Sequence, residues 1–268
     1  MYPILFTIPI FGHTFELPTY GVLLALAFLG ILKISAVLAR RDGFNSQDMV
    51  DLSFIVFLAG LVGAKLLLVL LDWRDYLAEP ALLLSVLRSA GVFYGGLLAA
   101  IPTAIWFARR RGLPLWKVAD VTAICLPLGL AIGRLGCFSA GCCYGTPSTL
   151  PWAVTFTSEI AHATTRVPLG ISLHPTQLYM SLNGLILAAI LFALHGRKQF
   201  DGQVFFWFII LYGATRSFWE LFRGDKIRGF LIQDVLSTSQ TIGLISVIAG
   251  FSFLYWRKRR AAASASTP

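Results

Sequence analysis

The chain has 268 residues, 57% of them apolar and only 13% charged, with a formal net charge of +9 and a mean hydropathy of +0.74. A soluble domain carries about 25% charged residues, so the composition excludes both a water-soluble enzyme and a disordered chain. The basic residues cluster between long apolar blocks, which makes the positive charge a membrane-topology signal that also touches anionic lipid and argues against nucleic-acid binding.

Met1–Thr19 has neither a basic leader nor a cleavage pattern, so a short ordered or interfacial outer segment is expected there, not a cleaved signal peptide. Seven nearly uncharged blocks follow: Tyr20–Leu38, Val50–Leu71, Gly91–Phe107, Val118–Ile132, Leu178–Leu194, Val204–Trp219 and Thr241–Trp256. A helix crosses a bilayer with about 20 apolar residues, range 17–25; the fourth and sixth blocks are short and rely on their flanks. Hydrocarbon demands that backbone polar groups be satisfied within each segment, so the blocks are read as helices. Twelve of the 22 Lys and Arg residues fall on one set of alternating loops (Arg40–Arg41, between Arg109 and Lys117, Arg197–Lys198 and Arg257–Arg260) and seven on the other. Basic loops are cytoplasmic. The expected fold is therefore an all-α integral membrane protein with seven transmembrane helices, N-terminus outside and C-terminus cytoplasmic, with outer-side loops and a lipid-accessible cavity. Residues 1–260 are expected to form a single domain and 261–268 a disordered small-residue tail. Trp73, Trp116, Trp152, Trp219, Tyr255 and Trp256 at block ends read as interfacial anchors.

Polarity in costly places carries the functional information. Lys65 lies two-thirds of the way through the second block, Arg134 directly after the fourth, and Arg216 and Glu220 close the sixth. A charge at membrane depth costs about 2.5–3.5 kcal/mol on insertion scales, so each needs a partner or a purpose. On a helix, Tyr212, Arg216, Glu220 and Arg223 share one face, and Arg216 with Glu220 reads equally as a self-neutralising pair. Arg134 and Lys65 have no acid beside them in sequence, which points to an anionic ligand; in a membrane the abundant anion is a lipid phosphate. Glycine runs open the third block (Gly91 to Leu97, with Tyr94, Gly95 and Gly96) and follow the fourth (Gly133 to Gly145). Small residues of this kind serve helix packing or irregular backbone lining a cavity; with an arginine inside the second run, the cavity is favoured. His174-Pro175-Thr176-Gln177-Leu178-Tyr179 opens the fifth block, with Pro175 as a helix starter at the first helical position and His174 and Gln177 facing the interface.

The run Gly133–Gly145 resembles the signature of the bacterial prolipoprotein diacylglyceryl transferases, G-R-x-G-N-F-x-N-G-E-x-x-G. Tyr20-Gly21, Tyr94-Gly95-Gly96-Leu97, the His174–Tyr179 run and the Tyr212/Arg216/Glu220/Arg223 face match further landmarks in the family's order. The resemblance covers nearly the whole chain and implies a multi-pass enzyme of the bacterial cytoplasmic (inner) membrane. Such an enzyme moves the diacylglyceryl group of phosphatidylglycerol onto the lipobox cysteine of a preprolipoprotein signal peptide. It implies no metal and no organic cofactor; the implied partners are phosphatidylglycerol, the preprolipoprotein and membrane lipids. Arg134 and Arg216 would bind the phosphate, Tyr20 and Gly145 would shape the site, and Glu220 would orient Arg216. Tyr94 would stand at the catalytic base position. Gly95, Gly96, Cys137, Cys142, His174, Gln177, Tyr212, Arg223 and Lys65 would line the substrate site.

Several positions depart from the family pattern: Tyr94 for its His, Cys137 for the first signature Asn, Ala140 for the second, Cys142 for the Glu, Lys65 for an Arg and Met180 for a Glu. Cys137, Cys142 and Cys143 lie close together, and a disulfide of Cys137 with Cys142 or Cys143 is expected in an oxidising compartment; Cys125 reads as packing. A zinc site would need a fourth ligand such as His174. The alternatives to a transferase are a non-catalytic phospholipid-binding homologue and a membrane thiol-redox protein using Cys137, Cys142 and Cys143. A transporter would call for repeated halves, which the sequence does not show.

Overall fold

The computed structural model describes residues 2–10, 13–83, 86, 91–224, 230–232 and 236–265. Basic Arg88, Lys226 and Arg228 lie outside the described residues. The chain divides into two compact units, Met1–Ile31 with Ala119–Pro268, and Leu32–Val118.

Every apolar block becomes a helix. The described helices are α1 (Thr19–Arg41), α2 (Ser46–Leu71), α3 (Trp73–Ala78), α4 (Phe93–Arg110), α5 (Leu115–Ala140), α6 (Glu159–Thr165), α7 (Thr176–His195), α8 (Gln203–Glu220) and α9 (Thr238–Ala265). Five of them, α1, α2, α5, α7 and α9, are long and apolar enough to cross a membrane. This is a multi-pass helical membrane protein. α4 and α8 have 18 residues each and fall short on apolarity, α4 because it ends in Arg109–Arg110 and α8 because it carries Arg216 and Glu220. α9 continues to Ala265 through residues expected as tail, in keeping with the high helix propensity of alanine; 266–268 lie outside the described residues.

Three antiparallel two-stranded ribbons accompany the helices: β1 (Ile4–Ile10) with β2 (His13–Pro18), β3 (Val154–Thr155) with β4 (Ser172–Leu173), and β5 (Phe230–Ile232) with β6 (Leu236–Ser237). The first gives the N-terminal segment its order and hands the chain directly to α1, with the Thr19 N–H on the Pro3 carbonyl at 3.0 Å.

In the unit Leu32–Val118, α2 and α4 pack through glycines. A Cβ on Gly95 would lie 2.3 Å from the Gly63 carbonyl oxygen and 2.4 Å from Leu67 Cβ, and one on Gly96 3.0 Å from the Gly60 oxygen. Small residues permit this approach where lipid supplies no hydrophobic drive between helices.

In the other unit α5 is the axis. Gly184 of α7 sits against the Pro127 carbonyl, where a Cβ would be 2.7 Å away, and Ser181 Oγ donates to the Ala131 carbonyl at 2.8 Å. Gly213 and Gly243 bring α8 and α9 together in the same manner. Asp120 of α5, fully buried, accepts the Gly202 and Phe205 N–H groups at 2.9 and 3.0 Å and Lys198 Nζ at 3.2 Å. An anion at the start of α8 satisfies donors that a helix leaves unpaired there.

Candidate functional site

The signature run is helix for most of its length. α5 passes through Gly133, Arg134 and Gly136 and stops only at Ala140, so the expected glycine-rich turn begins eight residues late. An interior glycine costs a helix only about 1 kcal/mol, and the apolar environment imposes helix. Gly136 is needed for contact: a Cβ there would lie 2.8 Å from the Tyr20 ring.

Gly141 then takes a left-handed conformation, φ +79°. Its N–H bonds the Phe138 carbonyl at 3.3 Å and the Cys142 N–H reaches the Cys137 carbonyl at 3.1 Å. This is a Schellman cap, which sets the side chain three residues before the cap residue against the one two residues after it. Here those are Cys137 and Cys142. Cys143 is also left-handed, φ 61°, an uncommon state for a residue with a Cβ, and the Sγ atoms of Cys137, Cys142 and Cys143 all lie within 4.8 Å of one another. All three are free thiols. The expected disulfide gives way to a three-thiol cluster in which one sulfur serves two neighbours. Hydrogen bonds from Cys137 and Cys142, aided by Arg223 and Arg134, hold the Cys143 thiol well below the ordinary range against the opposing effect of burial. Cys142 is pushed up by its hydrogen bonds with Cys137 and Cys143 and by burial.

Two elements clamp this turn. Thr176 Oγ1 donates to the Cys143 carbonyl at 2.7 Å and Gln177 Nε2 to the Cys142 carbonyl at 2.8 Å, and both side chains are fully buried. Gln177 therefore points inward and not to the interface as expected, because the buried turn needs donors for its carbonyls. Its Oε1 is a buried acceptor without a partner among the described residues. Pro175 occupies the cap position and α7 starts at Thr176, one residue later than its proposed role as first helical residue. Gly145 is threaded between two backbones. Its N–H bonds the His174 carbonyl at 3.1 Å, and a Cβ would lie 2.5 Å from that oxygen and 2.9 Å from the Phe222 oxygen. Flanking bonds from Thr146 N–H to Phe222 and from Gly224 N–H to Tyr144 complete the seam. The half-buried His174 ring meets Tyr179 and Phe222 edge-on, and its Nδ1 lies 3.3 Å from the Tyr179 hydroxyl, which accepts from Trp152 Nε1 at 2.8 Å.

Arg134 and Arg216 line one narrow cleft together with Pro127, Leu130, Met180, Asn183, Gly184, Tyr212 and Trp219. Arg216 donates to Glu220, whose carboxylate is 3% exposed. Among the described residues Arg134 forms no salt bridge. Tyr20, packed on Gly136, lies within electrostatic reach of Arg134 and the three cysteines. Arg223 is not on the expected helical face: α8 ends at Glu220, and Arg223 pairs through its backbone with Gly145. The cleft thus offers two guanidinium forks, one steadied by a buried carboxylate, suited to bidentate recognition of a phosphate or carboxylate.

Four expected site residues belong to the unit Leu32–Val118. Lys65 Nζ donates to the Val86 carbonyl at 2.6 Å. Tyr94 is exposed at the start of α4, its ring edge-on to Phe93. Gly95 and Gly96 have the packing role against α2 described above. Sequence reasoning missed Thr176 and Asp120; a single acid inside an apolar block is the signal that would have found the latter.

A family model for prolipoprotein diacylglyceryl transferase matches residues 3–256. The chain belongs to the prolipoprotein diacylglyceryl transferase family. Proteins named phosphatidylglycerol–prolipoprotein diacylglyceryl transferase are similar to it over almost their full length. The one from Clostridium tetani is 32% identical over 250 residues, 93% of this chain and 95% of the relative. That of Finegoldia magna is 30% identical over 242 residues, 90% of each, and that of Polynucleobacter asymbioticus 32% over 248 residues, 90% of this chain and 92% of the relative. Set on the family signature, the three thiols occupy its first Asn, its Glu and the variable position after that Glu, while the Gly-Arg pair at Gly133-Arg134 is kept.

Proposed function

We propose that this protein transfers the diacylglyceryl group of phosphatidylglycerol to the thiol of the lipobox cysteine of a preprolipoprotein, as the names of its relatives state for them in terms of lipid and prolipoprotein. The reading takes all seven apolar helices as spans, with the N-terminus outside and the C-terminus in the cytoplasm, in the bacterial inner membrane. One observation carries it: Arg134, from the signature run, and Arg216 line a single cleft.

The reaction is a displacement at carbon. The acceptor thiolate attacks the glycerol carbon that bears the phosphate, a C–S bond forms as the C–O bond breaks, and glycerol phosphate leaves with the electron pair. The leaving oxygen gains charge, and donors fixed in advance around it lower the barrier; removal of one such donor typically costs about 100- to 1000-fold in rate. Arg134 and Arg216 fill this role by gripping the phosphate. Glu220 is a positioning residue for Arg216, Tyr212 and Tyr20 border the lipid, and Gly145 holds the turn. Cations near an incoming thiol also favour its thiolate. Tyr94 is assigned proton transfer by its place in the family motif alone.

The test is transfer of labelled diacylglyceryl from phosphatidylglycerol to a lipobox peptide by purified protein in micelles. Turnover by the wild type with loss on Arg134→Ala supports the reading. Lipid binding without turnover would replace it with a phospholipid-binding homologue, and thiol-dependent reduction of a quinone or partner disulfide would replace it with a redox protein.

A further inference from the structure

We propose that Cys137, Cys142 and Cys143 form a three-coordinate binding site for a soft, thiophilic metal ion of the copper(I) class. The proposal is independent of the transferase reading.

Three observations converge. First, the sulfurs are already gathered, all within 4.8 Å of one another. A metal–sulfur bond of about 2.3 Å places trigonal sulfurs about 4.0 Å apart, so closure on an ion asks for sub-ångström movement. Second, the backbone is committed to this convergence. The Schellman cap sets Cys142 against Cys137, and Cys143 holds a positive φ that among the described side-chain-bearing residues only Arg166 shares. The buried Thr176 and Gln177 side chains fix the two carbonyls of the turn. Third, the donor set selects the ion. Thiolates favour copper(I) and zinc over harder cations, but structural zinc takes four protein ligands. His174, the fourth ligand that the sequence offered, is not in the cluster, and its Nδ1 is directed at Tyr179. A monovalent ion on three thiolates leaves a net charge of two minus, and Arg134 and Arg223 are both within electrostatic reach of Cys143.

The experiment is an anaerobic copper(I) titration of the reduced, metal-stripped full chain in detergent against a chromogenic chelator, with zinc(II) in parallel. One copper(I) per chain is expected, held more tightly than zinc. Affinity should fall in Cys137→Ser, Cys142→Ser and Cys143→Ser by more than the roughly 10- to 100-fold that loss of an outer-shell partner costs. Cys125→Ser, remote in the interior of α5, should bind as the wild type does. Because a serine variant could misfold, the wild type provides a second reading: copper(I) should protect three thiols per chain from alkylation, and X-ray absorption should show a shell of three sulfurs. Unchanged affinity in the Cys143→Ser variant, tighter binding of zinc than copper(I), or a disulfide within the triad that survives in the native membrane would overturn the site.

Discussion

Gly145→Ala and Gly133→Ala form a matched pair within one motif. At Gly145 the new methyl would sit 2.5 Å from the His174 oxygen, 2.6 Å from His174 Cβ and 2.9 Å from the Phe222 oxygen. Two of these obstacles are backbone atoms that cannot rotate away, so the seam must open by several tenths of an ångström. Overpacking of this kind costs about 1–3 kcal/mol, and the three seam hydrogen bonds it strains contribute about 1 kcal/mol each. A loss of roughly 2–5 kcal/mol is expected if one or two of those bonds fail. At Gly133 nothing lies within 4 Å of the built methyl, and alanine should gain up to about 1 kcal/mol of helix propensity. Thermal unfolding in detergent, followed by tryptophan fluorescence, should show Gly145→Ala melting several degrees lower and Gly133→Ala unchanged or higher. Equal melting of the two variants would refute the packing argument; a stable but inactive Gly133→Ala would mean that lipid approaches the helix there.

Asp120→Ala should destabilise by about 3–5 kcal/mol, the usual consequence of breaking a buried pair, while Asp201→Ala, whose side chain is 41% exposed, should stay within about 0.5 kcal/mol; the same melting assay reads both. Gly95→Ala should cost about 1–3 kcal/mol through overpacking of α2 against α4, and an unchanged melting temperature would speak against the packing role. Glu220→Gln should lower kcat by about 100-fold through misplacement of Arg216 with a smaller change in KM for phosphatidylglycerol; a pure KM effect would contradict the positioning role. Tyr94→Phe should reduce turnover, and full activity would remove Tyr94 from proton transfer.

The helices were legible because hydrocarbon leaves the chain few alternatives: all seven apolar blocks appear, most within a few residues of the expected ends. α5 and α9 are the exceptions, running eight and nine residues past Ile132 and Trp256. The block of α5 closes at Ile132 in the sequence because Arg134 and the four glycines from Gly133 to Gly145 look like a loop, yet the helix reaches Ala140, where Gly141 supplies the left-handed stop. The depth of the charges marks Arg134 and Lys65 as cations without an acid beside them in sequence, but it is the family resemblance that joins Arg134 to Arg216, and Lys65 belongs to the other unit. The clamp of the turn was not legible: Thr176 and Gln177 are distant in sequence from Cys142 and Cys143, and buried carbonyls leave no mark on composition. Asp120 stands out as the one acid inside its apolar block, but its partners at Gly202 and Phe205 are about eighty residues away and leave no local mark. The thiol cluster was half legible, since cysteine spacing indicates proximity but not whether two sulfurs bond or three share.

The most direct measurement is an experimental structure with phosphatidylglycerol bound. The expected result is the lipid phosphate in the cleft, with its oxygens within about 3 Å of guanidinium nitrogens of both Arg134 and Arg216. A headgroup seated elsewhere, with both guanidinium groups making no contact to phosphate, would contradict the proposed role of the cleft.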